Sequence, residues 1–360
     1  METVIAAAVQ ATPAFLDREA CVERACCLIR EAGSNGARLA VFPEAFVPTY
    51  PDWVWRSVPW QDQGALYRRL LEHSVVVPSA ATDALADAAR TAGTYVCIGV
   101  NERDARGSTL YNTLLYLGPD GSVLGRHRKL MPTGAERLVW GAGDGSTLLV
   151  LDTPFGRVGG LTCWENYMPL ARYAMYAQGI DILLAPTWDR GDVWMATLRH
   201  VAKEGRVFVV GVAPVLRGSD VPAGIPGRDA LYRGDDDWMC PGGSAIVGPD
   251  GQVLAGPLVE TEGILYAELD AAAARASRHE FDPVGHYARP DVFRLAVDTT
   301  PRAPVVASGE GMPDGTGFPG ATPLRGPEPS ANGPTPQRAL PAMPPSPTAG
   351  PPSAALPEPG

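Results

Sequence analysis

The chain has 360 residues, a formal net charge of −10 and an isoelectric point near 5.0. That acidity excludes a nucleic-acid partner, because binding a phosphate backbone takes a basic face. A hydrophobic share of 45% is enough for a sizeable core, yet no apolar run approaches the roughly 20 residues of a membrane span, and the opening METVIAAAVQ is too short for a secretory signal. Cys21, Cys26, Cys27, Cys97, Cys163 and Cys240 fall at no metal-like spacing and are too few for a disulfide scaffold. Reduced thiols and a cytoplasmic location are therefore expected.

In chain order, TVIAAAVQ predicts a strand, DREACVERACCLIREAG a helix opened by Asp17 and closed by Gly33, and ARLAVFPE a second strand. PSAATDALADAARTAG predicts a capped helix ending at Gly93, followed by the strand TYVCIGV. The rhythm then changes, because STLYNTLLYLGPDGSVLGRHRKL reads as two strands about a Pro-Asp-Gly turn. RVGGLTC predicts a buried strand running into Cys163. MPLARYAMYAQG predicts a helix, with Leu170, Tyr173, Ala174 and Ala177 at helical spacing and Gly179 at its end. GIDILLAPT, VWMATLRHVAKEG and RVFVVGV follow as strand, helix and strand, and SAIVGPDGQVLAG repeats the hairpin pattern. This order predicts an α/β protein whose sheets are mixed rather than purely parallel. No glycine-rich phosphate loop follows a predicted strand, which argues against a dinucleotide site. From Thr300 onward Pro, Gly, Ala and Ser dominate, and about half of the 36 prolines lie there. An ordered domain over residues 1–298 and a disordered tail over 299–360 are expected.

Three apolar runs end in reactive or charged side chains. Cys163 ends RVGGLTC, Glu44 follows RLAVFP, and Lys129 ends GSVLGRHRK with Glu136 shortly beyond. Each has an ordinary explanation when taken singly: a small buried hydrophobe, a solvated loop residue, one member of a basic run, half of a surface ion pair. Ligand sites in α/β folds, however, gather at the rims where strands end. A thiol at a strand-to-helix junction is expected to be exposed at such a rim and, near a helix N-terminus, to favour the thiolate.

Together FPEAF, HRKLMPTGAER and TCWENYMPLARYAMYAQG resemble the nitrilase superfamily, in the order and approximate spacing at which that family carries a Glu–Lys–Cys triad. APTWD and GHYARPDVF add to the resemblance, which runs from about Val4 to about Leu295. CWEN looks like the nitrilase branch rather than the amidases and carbamoylases. The resemblance implies a four-layer α-β-β-α sandwich with two mixed β-sheets. It also implies hydrolysis of a small-molecule nitrile to a carboxylic acid and ammonia through a thioimidate and a thioester. In that chemistry Cys163 is the nucleophile, Glu44 the general base, Lys129 the stabiliser of developing negative charge, and Glu136 an additional acid that orients Lys129 or assists proton transfer. No metal or organic cofactor is required. Subunits of this family pair through helices beside the sheet and extend into spirals, so a homo-oligomer is implied, with Tyr173 and Tyr176 of the MPLARYAMYAQG helix on the pairing face.

Trp164 and Trp188 each follow a rim strand and are expected to line the substrate pocket. The aromatic segment PTYPDWVW adds Tyr50 beside its entrance. Glu165 and Asn166 read as capping residues, and His127, His200 and His286 as structural. A cyanide-hydrolysing enzyme or an amidase of the same superfamily shares the triad and stays open as an alternative. An interaction scaffold working through tail segments such as PAMPPSP is a third reading. That scaffold predicts no acid, base and thiol at matched rims, so it ranks last.

Overall fold

Strands that are apolar on both faces must be covered on both, and the sequence supplies two sets of them. The computed structural model describes residues 2–302 apart from 62, 233, 235 and 236. From residue 303 onward the expected tail lies outside the described residues. In chain order the strands are β1 (Val4–Gln10), β2 (Leu39–Val41), β3 (Tyr95–Arg103), β4 (Leu110–Leu117), β5 (Val123–Arg128), β6 (Val150–Thr153) and β7 (Gly156–Gly160). They continue with β8 (Ile182–Pro186), β9 (Phe208–Val212), β10 (Val215–Arg217), β11 (Trp238–Val247), β12 (Val253–Val259) and β13 (Gly263–Leu269). The first sheet runs β13-β1-β2-β3-β4-β5 and the second β10-β11-β9-β8-β7-β6, with β12 added on β11. Within them β1, β2 and β3 are parallel, as are β7, β8 and β9, while the other pairings are antiparallel. Both sheets are therefore mixed.

Parallel neighbours need crossover helices, and these supply the outer layers. Helices α1 (Arg18–Ser34), α2 (Gly64–His73) and α3 (Ala80–Ala92) lie between strands of the first sheet, and α4 (Pro169–Ala177) and α5 (Asp192–Gly205) between strands of the second. Ala25 and Ile29 of α1 and Leu85 and Ala89 of α3 pack on Ala7, Val9, Ile98 and Val100. Ala174, Leu198 and Val201 of α4 and α5 cover Leu183 and Val209. The opposite faces of the same strands meet between the sheets, where Val4, Ala6, Ala8 and Leu114 pack against Val158, Ile182, Leu184 and Val210. The alternation along each strand thus yields the four-layer α-β-β-α sandwich. Among the described residues no helix is long and apolar enough to cross a membrane.

Local chemistry departs from the sequence expectation around the cysteine. The strand ends at Gly160, three residues short of Cys163, and Cys163–Tyr167 form a 3₁₀ turn before α4 begins. Pro169 at the first turn of α4 has no N–H to join it to that turn, which separates the two elements. Tyr176 is buried rather than outward, and its hydroxyl donates to Glu204 at 3.0 Å. The outward apolar residues of this layer are instead Leu170 and Val193.

Candidate active site

Glu44 is placed by a short parallel excursion beside β3. Phe42 N–H donates to Cys97 O at 2.8 Å and Val47 N–H to Gly99 O at 3.1 Å, so residues 42–47 run along that strand. The segment between arches over Gly99, where an added Cβ would lie 2.3 Å from the Pro43 carbonyl oxygen and 2.4 Å from the Ala45 nitrogen. Only a bare glycine lets the Glu44 backbone come so close. The Glu44 carboxylate is buried and accepts three bonds: from Asn112 Nδ2 at 2.7 Å, from Lys129 Nζ at 2.8 Å and from Trp188 N–H at 2.7 Å. Burial pushes its pKa above the ordinary carboxylate value, against the pull of the Lys129 ammonium.

Lys129 follows β5 and is locked on both backbone sides, its N–H on Asn112 O and its carbonyl accepting from Gly143 N–H, each at 2.8 Å. Its Nζ lies 2.8 Å from Glu44 Oε1 and 2.8 Å from Glu136 Oε2. Burial opposes the positive charge, but the Glu44 and Glu136 carboxylates outweigh it, and the side chain is held cationic above the usual lysine range. Glu136 belongs to the 3₁₀ turn Gly134–Leu138. It accepts from Thr133 N–H at 2.6 Å and from the Tyr50 hydroxyl at 2.7 Å. A cation between two carboxylates in a dry site is tolerable only with such added bonds.

Cys163 opens its 3₁₀ turn with φ of +53°, in the left-handed region that non-glycine residues rarely enter. Its thiol is buried, not exposed as the junction suggested, and burial together with Glu44 pushes its pKa up while Lys129 and the Thr187 side chain oppose. The resting group is therefore a thiol, and the turn's N-terminus does not overcome the loss of water. As first residues of a helical turn, Cys163 and Trp164 carry N–H groups without an acceptor inside that turn.

A profile of the carbon-nitrogen hydrolase family matches residues 5–279. The chain belongs to this family. An aliphatic nitrilase of Sinorhizobium fredii (strain HH103) is 49% identical over 308 residues, covering 84% of this chain and 97% of that protein. A bifunctional nitrilase/nitrile hydratase of Nicotiana tabacum is 44% identical, with 84% of this chain and 88% of that one covered. These relatives set the hydrolase in the nitrilase branch. Its fold is shared with Saccharomyces cerevisiae Nit3, of branch 10 of the nitrilase superfamily, at a TM-score of 0.63 and 23% identity over 79% of this chain and 97% of that one.

The three aromatic residues expected at the pocket lie in different situations in this hydrolase. Trp188 stacks on Tyr50 with ring centroids 4.4 Å apart, and both adjoin the carboxylates through the Trp188 N–H and the Tyr50 hydroxyl. Trp164 is half exposed, edge-on to Tyr167, with its indole N–H on Asp189 at 2.8 Å. The sequence reading missed Asn112, although a lone amide in the apolar strand LYNTLLYL was a signal. Trp55, at the end of the PTYPDWVW segment, donates its indole N–H to the Tyr50 hydroxyl at 3.1 Å. His127 and Glu165 meet in the buried layer between the sheets, with Nε2 3.1 Å from each carboxylate oxygen. The second ring nitrogen of His127 faces Thr147 O at 2.8 Å. Burial disfavours the charged ring, but the Glu165 carboxylate outweighs it and raises the His127 pKa above its ordinary value.

Proposed function

We propose that the chain hydrolyses an organic nitrile to a carboxylic acid and ammonia, with Cys163 as nucleophile, Glu44 as general base and Lys129 as the fixed positive charge. The observation that carries this reading is the buried Lys129 ammonium, 2.8 Å from both Glu44 and Glu136. The 49% identity to a protein named an aliphatic nitrilase supports it.

A nitrile carbon is a weak electrophile and calls for a soft nucleophile. Because the resting sulfur is protonated, its proton leaves as the S–C bond forms; Glu44, raised by burial, takes it and delivers it to the nitrile nitrogen. A thioimidate results. Water adds to its carbon under Glu44 base catalysis, and Lys129 and the Trp164 N–H stabilise the charge that develops on the tetrahedral adduct. Cleavage of C–N expels ammonia and leaves a thioester, and a second water releases the acid and returns the proton to sulfur. Glu136 holds the Lys129 ammonium, and Tyr50 in turn holds Glu136. Cleavage of C–S instead of C–N in the first adduct releases an amide, a second outcome favoured by the relatives named bifunctional nitrilase/nitrile hydratase.

Incubation with aliphatic, aromatic and arylaliphatic nitriles, with ammonia, acid and amide all measured, tests this. Ammonia and acid in equal amounts are expected, and turnover of amides with none of any nitrile would replace the reading by an amidase. Gly99→Ala is expected to lower kcat about 10²-fold by displacing Glu44, since misplacement by about 1 Å costs that much. Steady-state kinetics on a variant with wild-type circular dichroism checks it, and an unchanged kcat would mean that the arch over residue 99 is free to move.

The reading includes self-association beyond a dimer. Leu170 of α4 and Val193 of α5 are exposed apolar side chains on the outer layer that an interface between copies would cover. Light scattering is expected to give a mass well above twice the 38.0 kDa of one chain, and a clean monomer at micromolar concentration would exclude it. Six free cysteines suit a reducing compartment, and we assign the protein to the cytoplasm on that ground.

A further inference from the structure

Glu165 does more than cap its own turn. Its Oε2 accepts from Thr162 N–H at 2.6 Å, which alone would close the cap. Its Oε1 accepts from Leu130 N–H at 2.7 Å, and His127 Nε2 lies 3.1 Å from both oxygens. Capping needs neither of these, and both come from the other sheet. Thr162 immediately precedes Cys163 and Leu130 immediately follows Lys129. One buried carboxylate thus grips the backbone one residue from each of two reacting groups that follow strands of different sheets.

We infer that Glu165 is a positioning residue, setting the separation of Lys129 and Cys163 by binding Leu130 N–H and Thr162 N–H to the two oxygens of a single carboxylate. The inference rests on the proposed roles of those two residues but makes a claim of its own about geometry. His127 completes the arrangement as countercharge. A neutral amide at this position cannot do the same work, because whichever way it is turned its NH₂ would face a backbone N–H, that of Leu130 or that of Thr162. A shorter carboxylate cannot reach both N–H groups from the Cys163 turn.

The test uses the full chain carrying Glu165→Gln, Glu165→Asp or His127→Gln, each checked by circular dichroism and assayed well below its melting temperature. Two readouts are taken: kcat and KM on a nitrile that the wild type hydrolyses, and the rate at which iodoacetamide alkylates the Cys163 peptide, followed by mass spectrometry to separate it from the exposed Cys27. Glu165→Gln and Glu165→Asp are expected to lower kcat about 10²-fold with KM within about threefold, the mark of misplaced reacting groups rather than lost binding. Alkylation of Cys163 is expected to change in step. His127→Gln, which keeps both backbone bonds, is expected to cost about tenfold in kcat. A folded Glu165→Gln protein with wild-type kcat and alkylation rate overturns the inference. If Glu165→Gln does not fold, Glu165→Asp decides, and an aspartate variant indistinguishable from wild type in both readouts overturns it equally. Altered alkylation in a protein that turns over no nitrile would sink the proposed function and leave the positioning role standing.

Discussion

Cys163→Ala is expected to release no ammonia above background from any nitrile that the wild type hydrolyses, a loss on the order of 10⁶-fold, the scale on which removing a covalent nucleophile acts. The fold should survive. The thiol is buried, but the residues around it are held by bonds that do not involve sulfur: Asn166 Nδ2 donates to Leu161 O at 2.8 Å and to Cys163 O at 2.9 Å, and Glu165 grips Thr162. Removing one sulfur leaves a small cavity, and a cost of about 1 kcal/mol follows from the volume lost. Ammonia release and a thermal melt on the same sample check both halves. Near wild-type turnover by a folded alanine variant would rule out a covalent route through this residue.

Lys129→Met and Glu44→Gln are expected to lower kcat by about 10²- to 10⁴-fold, the range of a lost electrostatic stabiliser or general base. The two should differ in stability. Methionine matches the length of lysine but leaves Glu44 and Glu136 as two buried carboxylates with no cation between them, and breaking a buried pair in this way costs about 3–5 kcal/mol. Glutamine at residue 44 keeps an acceptor for Asn112 and Lys129 and should melt closer to the wild type. Single-turnover kinetics with parallel melts separates the effects. A Lys129→Met enzyme with full kcat would mean that no fixed positive charge serves the developing anion. Glu136→Gln is expected to follow the same direction with a smaller loss, because it acts on the reaction through Lys129.

Much of this architecture was legible because local chemistry agrees with the final fold. Asp17 accepts from Ala20 N–H at 3.0 Å at the start of α1, Gly93 takes φ of +61° at the end of α3, and Gly121 and Gly251 take +84° and +85° in the two Pro-Asp-Gly turns. What escaped was set by distant chain. β13 joins the first sheet only by pairing with β1, Val4 opposite Leu269, and β10 has three residues. The outline of the site was equally readable, since Glu44, Lys129 and Cys163 each terminate an apolar run. Their environment was not. The burial that keeps Cys163 protonated comes from residues on both sheets, and Lys129 meets Glu44 across 85 positions of sequence. The pattern Thr162-x-x-Glu165 announced a cap, but nothing local announced that Leu130 and His127 would share its carboxylate.

The left-handed backbone at residue 163 has a consequence for how this chain responds to selection. A side chain at φ of +53° costs about 1–2 kcal/mol relative to glycine, which enters that region freely. Alanine leaves that strain in place, whereas glycine relieves it, so the most heat-resistant residue at this position is one that cannot form a covalent adduct. A population of variants sorted for thermal endurance alone would drift toward glycine at 163 and lose chemistry while gaining robustness. A homologous chain with this sandwich and glycine at the corresponding turn is then best understood as one released from the demand for turnover.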